Sequence, residues 1–392
     1  MSNLALNPSD TIKPWQVMAA GMAAMLLTVG IARFAYTPML PLMQTQTGMS
    51  PFAGGLLATV NYAGYMTGAL LASTISDARR RYLVYRVGLI AGVIGTLGMG
   101  LTTHVWAWLL LRYIAGVGGA SGMLLASGMV LAFLVRHGRR PELGLHFIGL
   151  AIGIILSGAL VMATNGWLDW AGQWDAFGLV TLVLMVPAWF WMPAPDGAAA
   201  AQAAGAGKVP HPGAWLLNLS YFCAGVGFVV SATFVVAAAA KVPQLSHLGP
   251  FIWIVVGVAA IPATLAWDRL ARRIGDIPTL ILAYALQIVS IVLPVASHSA
   301  VAAIGGAILF GATFMGIVAL TLALAGKRNS ANPSGAMARL TLSYGVAQII
   351  APAIVGRIAE TTGNYDAGMI MAAVTMAIGI ALLWAYGRVS GN

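Results

Sequence analysis

The sequence predicts an all-α polytopic membrane protein, and three observations carry that prediction. The first is composition: of 392 residues, 60% are hydrophobic and only 8% are charged, with a mean hydropathy of +0.88. A soluble domain carries about a quarter charged residues, so this chain cannot furnish a water-facing surface. Disorder is excluded too, because it goes with low hydrophobicity. The second is the length of the apolar stretches, since a membrane-crossing helix needs roughly 20 mostly apolar residues. The third is the placement of charge. Twenty Lys and Arg stand against ten Asp and Glu, a net charge of +10. In a soluble protein that excess would suggest nucleic acid; here it gathers in alternate loops.

Twelve apolar stretches are expected to be spans, over 14–39, 51–76, 82–103, 105–135, 143–165, 172–192, 214–240, 249–270, 277–297, 300–326, 335–359 and 366–387. Glycines interrupt many of them, which a bilayer tolerates because small residues let helices approach closely. The first run is too long for the core of a signal peptide and is expected to be retained. Arg79, Arg80, Arg81 and Arg86 follow span 2, Arg136, Arg139 and Arg140 follow span 4, and Arg269, Arg272 and Arg273 follow span 8. Lys327 and Arg328 follow span 10, and Arg388 follows span 12. The opposite loops carry little basic charge, Lys241 being the clear exception. By the positive-inside rule both termini are expected in the cytoplasm.

Residues 194–213 form a Pro/Gly/Ala-rich linker without periodicity. It divides the chain into a six-helix half at 1–193 and another at 214–392, the arrangement that repeated transporter halves produce. Internal repetition agrees. Gly30-Ile-Ala-Arg33-Phe-Ala35 in span 1 is echoed by Gly227-Phe-Val-Val-Ser-Ala232 in span 7. The loop Asp77-Ala-Arg79-Arg80-Arg81 is echoed by Asp268-Arg269-Leu-Ala-Arg272-Arg273.

With these residues in view, the sequence resembles the major facilitator superfamily. Asp268-Arg269-Leu-Ala271-Arg272-Arg273 is similar to that superfamily's Asp-Arg-x-Gly-Arg-Arg loop, with Ala271 in place of Gly. The copy at Asp77 is further from the pattern, with Ala78 at the basic position and Arg80 at the Gly. Arg112-Tyr-Ile-Ala-Gly116-Val-Gly118 resembles the Arg-x3-Gly-x-Gly motif of span 4. Gly30 to Met43, and Gly225-Val-Gly227-Phe-Val-Val-Ser-Ala232-Thr-Phe, resemble the YbfB/YjiJ-type branch. The resemblance implies a twelve-helix, 6+6 pseudo-symmetric bundle whose helices 1, 4, 7 and 10, with 2, 5, 8 and 11, line a central cavity. It implies transport without naming a substrate.

Charges inside a membrane are costly and are functional candidates by default. Arg33, Arg112 and Arg357 fall within spans, in the outer half of the membrane on the expected orientation. Guanidiniums facing one cavity would attract an anion, and Arg can hold a carboxylate or phosphate bidentately. Plainer readings stand beside this. Arg33 could snorkel to the interface, Arg112 could bond backbone or a neighbouring helix, and Arg357 has Glu360 at i,i+3 for a local pair. Neutral polar residues complete the candidate substrate site: Tyr36, Asn61, Tyr65, Tyr221, Tyr344 and Gln348, although such residues also glue helices together. No acidic residue lies in mid-span, which disfavours a buried carboxylate as proton carrier. His146 is the candidate proton site instead, against a plainer role bonding a neighbour. Asp77, Arg81, Asp268, Arg269, Arg272 and Arg273 are expected to form a cytoplasmic gate. In it Asp268 would meet a neighbouring helix N-terminus, and the arginines would pair across the halves.

The glycines of Gly116–Gly122 lack the Lys-Ser/Thr and the βαβ setting of a nucleotide loop, and one cysteine, Cys223, excludes a Cys-rich metal site. The expectation is a monomeric secondary or facilitative transporter of the bacterial inner membrane. It would work by alternating access on a small organic anion, in a lipid bilayer, with no cofactor, no nucleic acid and no enzymatic chemistry. Export of amphipathic drugs or metabolites is the alternative, suggested by 19 Met and many aromatics. A non-transporting receptor or scaffold is the lesser one, disfavoured by the absence of a large loop.

Overall fold

A computed structural model of the chain describes residues 12–139, 143–194, 213–240, 249–329 and 333–390. Most of the expected linker, together with Arg140 and Lys241, lies outside these residues. The helices follow the apolar stretches closely. We number them α1 (Pro14–Thr47), α2 (Pro51–Thr74), α3 (Ala78–Gly100), α4 (Val105–Arg136), α5 (Gly144–Thr164) and α6 (Trp170–Phe190). The rest are α7 (Ala214–Ala239), α8 in two arms (Gly249–Ala260 and Ala263–Ile274), α9 (Asp276–Ser297), α10 (Ala300–Arg328), α11 (Pro333–Thr362) and α12 (Asp366–Val389).

Among the described residues, ten of these are long and apolar enough to cross a membrane, and the arms of α8, bent by 45°, make an eleventh. Twelve spans were expected. The remaining helix, α2, has 24 residues, but Asn61, Tyr62 and Tyr65 dilute its apolar content. The bend in α8 falls at Pro262, which has no N–H for the Val258 carbonyl; the Ile261 amide takes that carbonyl instead, at 3.3 Å.

The described residues form two compact units, and these do not follow the sequence halves. One is drawn from Met1–Ala35, Ala63–Gly153 and Ala171–Ala203, the other from Tyr36–Tyr62, Ile154–Trp170 and Ala204–Asn392. The second unit therefore joins the later part of α1, the first part of α2 and the end of α5 to α7–α12.

In the first unit α1 is not a regular helix. It is α-helical to Met25, π-helical over Leu26–Ile31, and turns through residues 32–35 before the α-helix resumes at Tyr36. The Ala32 and Phe34 amides donate five residues back, to Leu27 and Val29. Pro38 has no amide to offer the Phe34 carbonyl, so the ladder cannot close normally there. A second π segment, Ser121–Ala126, interrupts α4, and the two segments pack together at Gly122. A Cβ on Gly122 would stand 2.2 Å from Thr28 Oγ1 and 2.7 Å from the Ala24 carbonyl oxygen, so only glycine admits this approach.

In the second unit, parts of both sequence halves are bonded directly. Thr37 Oγ1 donates to the Ala232 carbonyl at 2.5 Å, and Gln44 Nε2 donates to Tyr365 Oη at 2.9 Å. Trp253 Nε1 donates to Ser157 Oγ at 3.1 Å. The Ala353 amide donates to Thr59 Oγ1 at 3.2 Å. Beside it, α2 and α11 touch at Gly55, where a Cβ would lie 2.2 Å from the Pro352 carbonyl oxygen. All of these ties fall toward the end of the bundle where odd-numbered helices finish and even-numbered ones begin.

Candidate functional site

The break in α1 creates the most unusual polar site of the first unit. The backbone leaves helical geometry at 32–35, and its carbonyls need donors because a buried unsatisfied carbonyl is costly. Arg112 of α4, 2% exposed, supplies them. Its Nη1 donates to the Ala32 carbonyl at 2.7 Å, and its Nη2 reaches the Arg33 carbonyl at 3.4 Å. A fixed guanidinium thus takes the place of the missing helical amides. Arg33, on the turn itself, is half-buried. Its guanidinium lies 5.2 Å from the ring centroid of Tyr65 and 5.3 Å from that of Phe34. The two arginines therefore stand in different positions. Arg112 is spent on backbone, whereas Arg33 presents a cation framed by aromatic faces.

The second unit holds the other candidate substrate residues. Tyr221 of α7 stacks on Tyr344 of α11, with centroids 4.5 Å apart and planes at 26°. Phe228 joins Tyr344 at 5.8 Å and Phe314 at 5.5 Å, and Phe310 lies 5.2 Å from Phe314. Gln348 is buried one turn beyond Tyr344 on the same face of α11. Tyr36 is buried and donates its hydroxyl to the Gly54 carbonyl at 2.8 Å, so it ties α1 to α2. Asn61 is fully buried within α2. Sequence reasoning found Tyr221 and Tyr344 but missed the phenylalanines. Nothing marks Phe228, Phe310 and Phe314 until α7 and α10 are packed side by side.

The two Asp–Arg loops differ. Asp77 caps α3, its carboxylate accepting from the Arg80 amide at 2.8 Å, and Arg81 Nε donates to the Ile75 carbonyl at 2.6 Å. Asp268 lies inside the second arm of α8 and pairs with Arg272 one turn on, both side chains exposed. Asp77 thus occupies a helix N-terminus, that of its own helix α3. The difference follows from where the helices begin and end: α3 starts at Ala78 rather than 82, and α8 runs to Ile274 rather than 270. Arg269 reaches back to the Leu265 carbonyl at 3.5 Å, and Arg273 is exposed. An ion pair that sequence reasoning missed, Lys327 Nζ to Asp276 at 3.0 Å, links the end of α10 to the start of α9.

His146 is fully buried in α5. Its Nε2 is 2.7 Å from Ser127 Oγ; its Nδ1 has no hydrogen-bond partner among the described residues and faces Gly21 of α1. Arg357 pairs with Glu360 at 2.5 Å, the local arrangement that the i,i+3 spacing suggested. Gln287 is buried on α9 against Thr313.

A cation at a broken helix, framed by aromatic rings, is a feature of a path for a charged solute. The family model described as "Uncharacterised MFS-type transporter YbfB" matches residues 25–384. The chain belongs to that family. It is a multi-pass membrane transporter of the major facilitator type, not an enzyme. Relatives named "Uncharacterized MFS-type transporter YcaD", from Salmonella arizonae and Salmonella enteritidis, are 24% identical over 166 residues. The match covers only 40% of this chain and 40% of each relative's length. In fold, the chain is similar to the crystal structure of the nucleoside transporter NupG. The TM-score is 0.74 at 14% identity, covering 97% of this chain and 99% of that one. A bacterial homolog of the human lysosomal transporter Spinster, in an inward-facing and occupied conformation, gives 0.67 at 14% identity, over 96% and 97% of the two chains.

Proposed function

We propose that this transporter moves a small organic anion across the bacterial inner membrane by alternating access, with both termini in the cytoplasm. The observation that carries the substrate class is Arg33. A half-buried arginine sits at the break in α1, framed by Tyr65 and Phe34, while Arg112 holds the carbonyls on which Arg33 is mounted. Arg33 is the substrate contact in this reading, and Arg112 is a positioning residue. Tyr344, Tyr221 and Gln348 form an aromatic and amide surface of their own within the second unit. The excess of Arg and Lys after even-numbered helices supports the orientation. The ties between Thr37 and Ala232, and between Gln44 and Tyr365, then belong to a gate on the periplasmic side, which must part for the cycle to proceed.

Export of amphipathic solutes is the competing reading, and one observation favours it: the run of stacked rings from Tyr221 to Phe310. The two are separated by purified protein tested for thermal stabilisation against metabolite anions and drug-like cations, since a ligand that binds only the folded state raises its stability. Saturable stabilisation by an anion, lost in Arg33→Ala, is expected. Equal stabilisation of wild type and Arg33→Ala overturns the anion assignment.

A further inference from the structure

The start of α3 and the end of α6 hold a cation that the transport reading does not use. Arg86 lies two turns into α3. Its guanidinium is 4.7 Å from the ring centroid of Tyr82 and 4.3 Å from that of Trp189 on α6. Tyr82 is one turn nearer the start of α3, so the Arg86 side chain runs back toward the end of the helix, as a snorkelling arginine does. Among the described residues no carboxylate pairs with it, and its Nε is buried without a partner. Asp77, the nearest acidic residue in sequence, is engaged in capping α3.

The surroundings are built rather than incidental. Tyr82 Oη donates to the Met192 carbonyl at 3.1 Å, and Tyr85 Oη donates to the Ala188 carbonyl at 2.7 Å. These bonds fasten α3 to the last turn of α6 and the residues just after it, on either side of Trp189. Trp15 and Trp191 meet edge to face at 5.5 Å nearby on the chain, so indoles from α1 and α6 accumulate at this level, as aromatic residues do at a membrane–water interface. Leu83, Val87 and Ile90 are exposed and lie within about 100° of Arg86 around the helix, at 3.6 residues per turn. On α6, Val186 and Phe190 are exposed likewise. In a membrane protein these apolar side chains face acyl chains.

We propose that Arg86, with Tyr82 and Trp189, binds the phosphate of an anionic glycerophospholipid in the leaflet where α3 begins. The acyl chains would lie along Leu83, Val87 and Phe190. The rings hold the guanidinium plane, and the remaining N–H groups meet phosphate oxygens, which Arg binds with matched geometry. Arg79 and Arg80, exposed at the tip of α3, add attraction but no fixed seat.

The test is native mass spectrometry of the delipidated full chain titrated with phosphatidylglycerol, phosphatidylcholine or inorganic phosphate. Wild type should retain phosphatidylglycerol in preference to phosphatidylcholine. Arg86→Gln should weaken that retention about fivefold, the scale of one basic residue at an anionic surface, while Arg79→Gln changes it less. Equal retention of both lipids by wild type, or unchanged retention in a folded Arg86→Gln protein, overturns the proposal. So does displacement of the lipid by inorganic phosphate at equal concentration, which would mark a site for the free ion. The wild-type comparison stands even where Arg86→Gln fails to fold.

Discussion

Helices α1 and α7 occupy equivalent places in the two sequence halves, yet they solve the same packing problem differently. The echoing segments are Gly30 to Ala35 and Gly227 to Ala232. In α1 the segment runs into the break; in α7 it is continuous helix, almost wholly buried. Four substitutions account for the difference. Where α1 has Pro38 and Pro41, α7 has Val235 and Ala238, which leave the amide ladder intact. Where α1 has Arg33, α7 has Val230. Where α4 carries Arg112 to satisfy the freed carbonyls, α10 has Ala307 at the same distance from its start, fully buried and apolar. A break requires a donor from a neighbour, and a continuous helix does not. The polar residue on the supporting helix is therefore a consequence of the prolines on its partner.

The largest expected effect follows from removing that donor. Arg112→Ala leaves the Ala32 and Arg33 carbonyls dry, at about 1–3 kcal/mol for each buried unsatisfied group. Thermal denaturation of the purified protein should show a marked drop in Tm, and transport should be lost because Arg33 is no longer held. Arg112→Lys restores a single donor and should recover part of the stability. If Arg112→Ala melts like wild type, the guanidinium is not what supports the break, and the contrast with Ala307 loses its meaning.

A smaller effect compares glycines in the two regions. Gly122→Ala drives a methyl into Thr28 Oγ1 and the Ala24 backbone, which cannot yield without moving the π segment. Overpacking of this kind typically costs about 1–3 kcal/mol. A Cβ on Gly227 of α7 would instead meet the Met376 side chain, its Sδ at 2.1 Å. That contact is with an unbranched side chain rather than with backbone, and such a chain yields more readily. Gly122→Ala should therefore destabilise more than Gly227→Ala in parallel melts. The reverse order would mean that the π segment, not α7, is the adaptable element.

How far the sequence alone could go depends on the range of each interaction. Spans were legible because an apolar run of sufficient length has one use. Pro38 marks the break in α1, but the π segment before it is set by contact with Gly122 of α4, more than ninety residues away. Arg112 was visible as a buried charge, and its two plausible targets were not distinguishable because a backbone carbonyl leaves no mark in sequence. The stack of Tyr221, Tyr344 and Phe228 needs three helices in register. The bend at Pro262 could have been read from the proline itself. The interleaved composition of the two units could not, because it rests on bonds such as Gln44 to Tyr365 between distant stretches.

The smallest effects separate the two Asp–Arg loops, and here stability and transport answer different questions. Asp77 caps α3, so Asp77→Ala should cost about 1 kcal/mol of stability, while Asp77→Asn, another good capping residue, should cost little. Among the described residues Asp268 makes only an exposed i,i+4 pair with Arg272, and removing it should cost no more than about 0.5 kcal/mol. If both loops nonetheless act as gates, Asp268→Asn must slow transport in vesicles while its Tm stays at the wild-type value. Wild-type rates in that variant would leave Asp268 a surface pair and nothing more. A parallel loss of rate and Tm in Asp77→Ala, cured in both by Asp77→Asn, would reduce the first loop to a helix cap. The comparison is informative because the two carboxylates share a motif and differ in what they touch: a backbone amide at the start of α3, and an exposed arginine on the surface of α8.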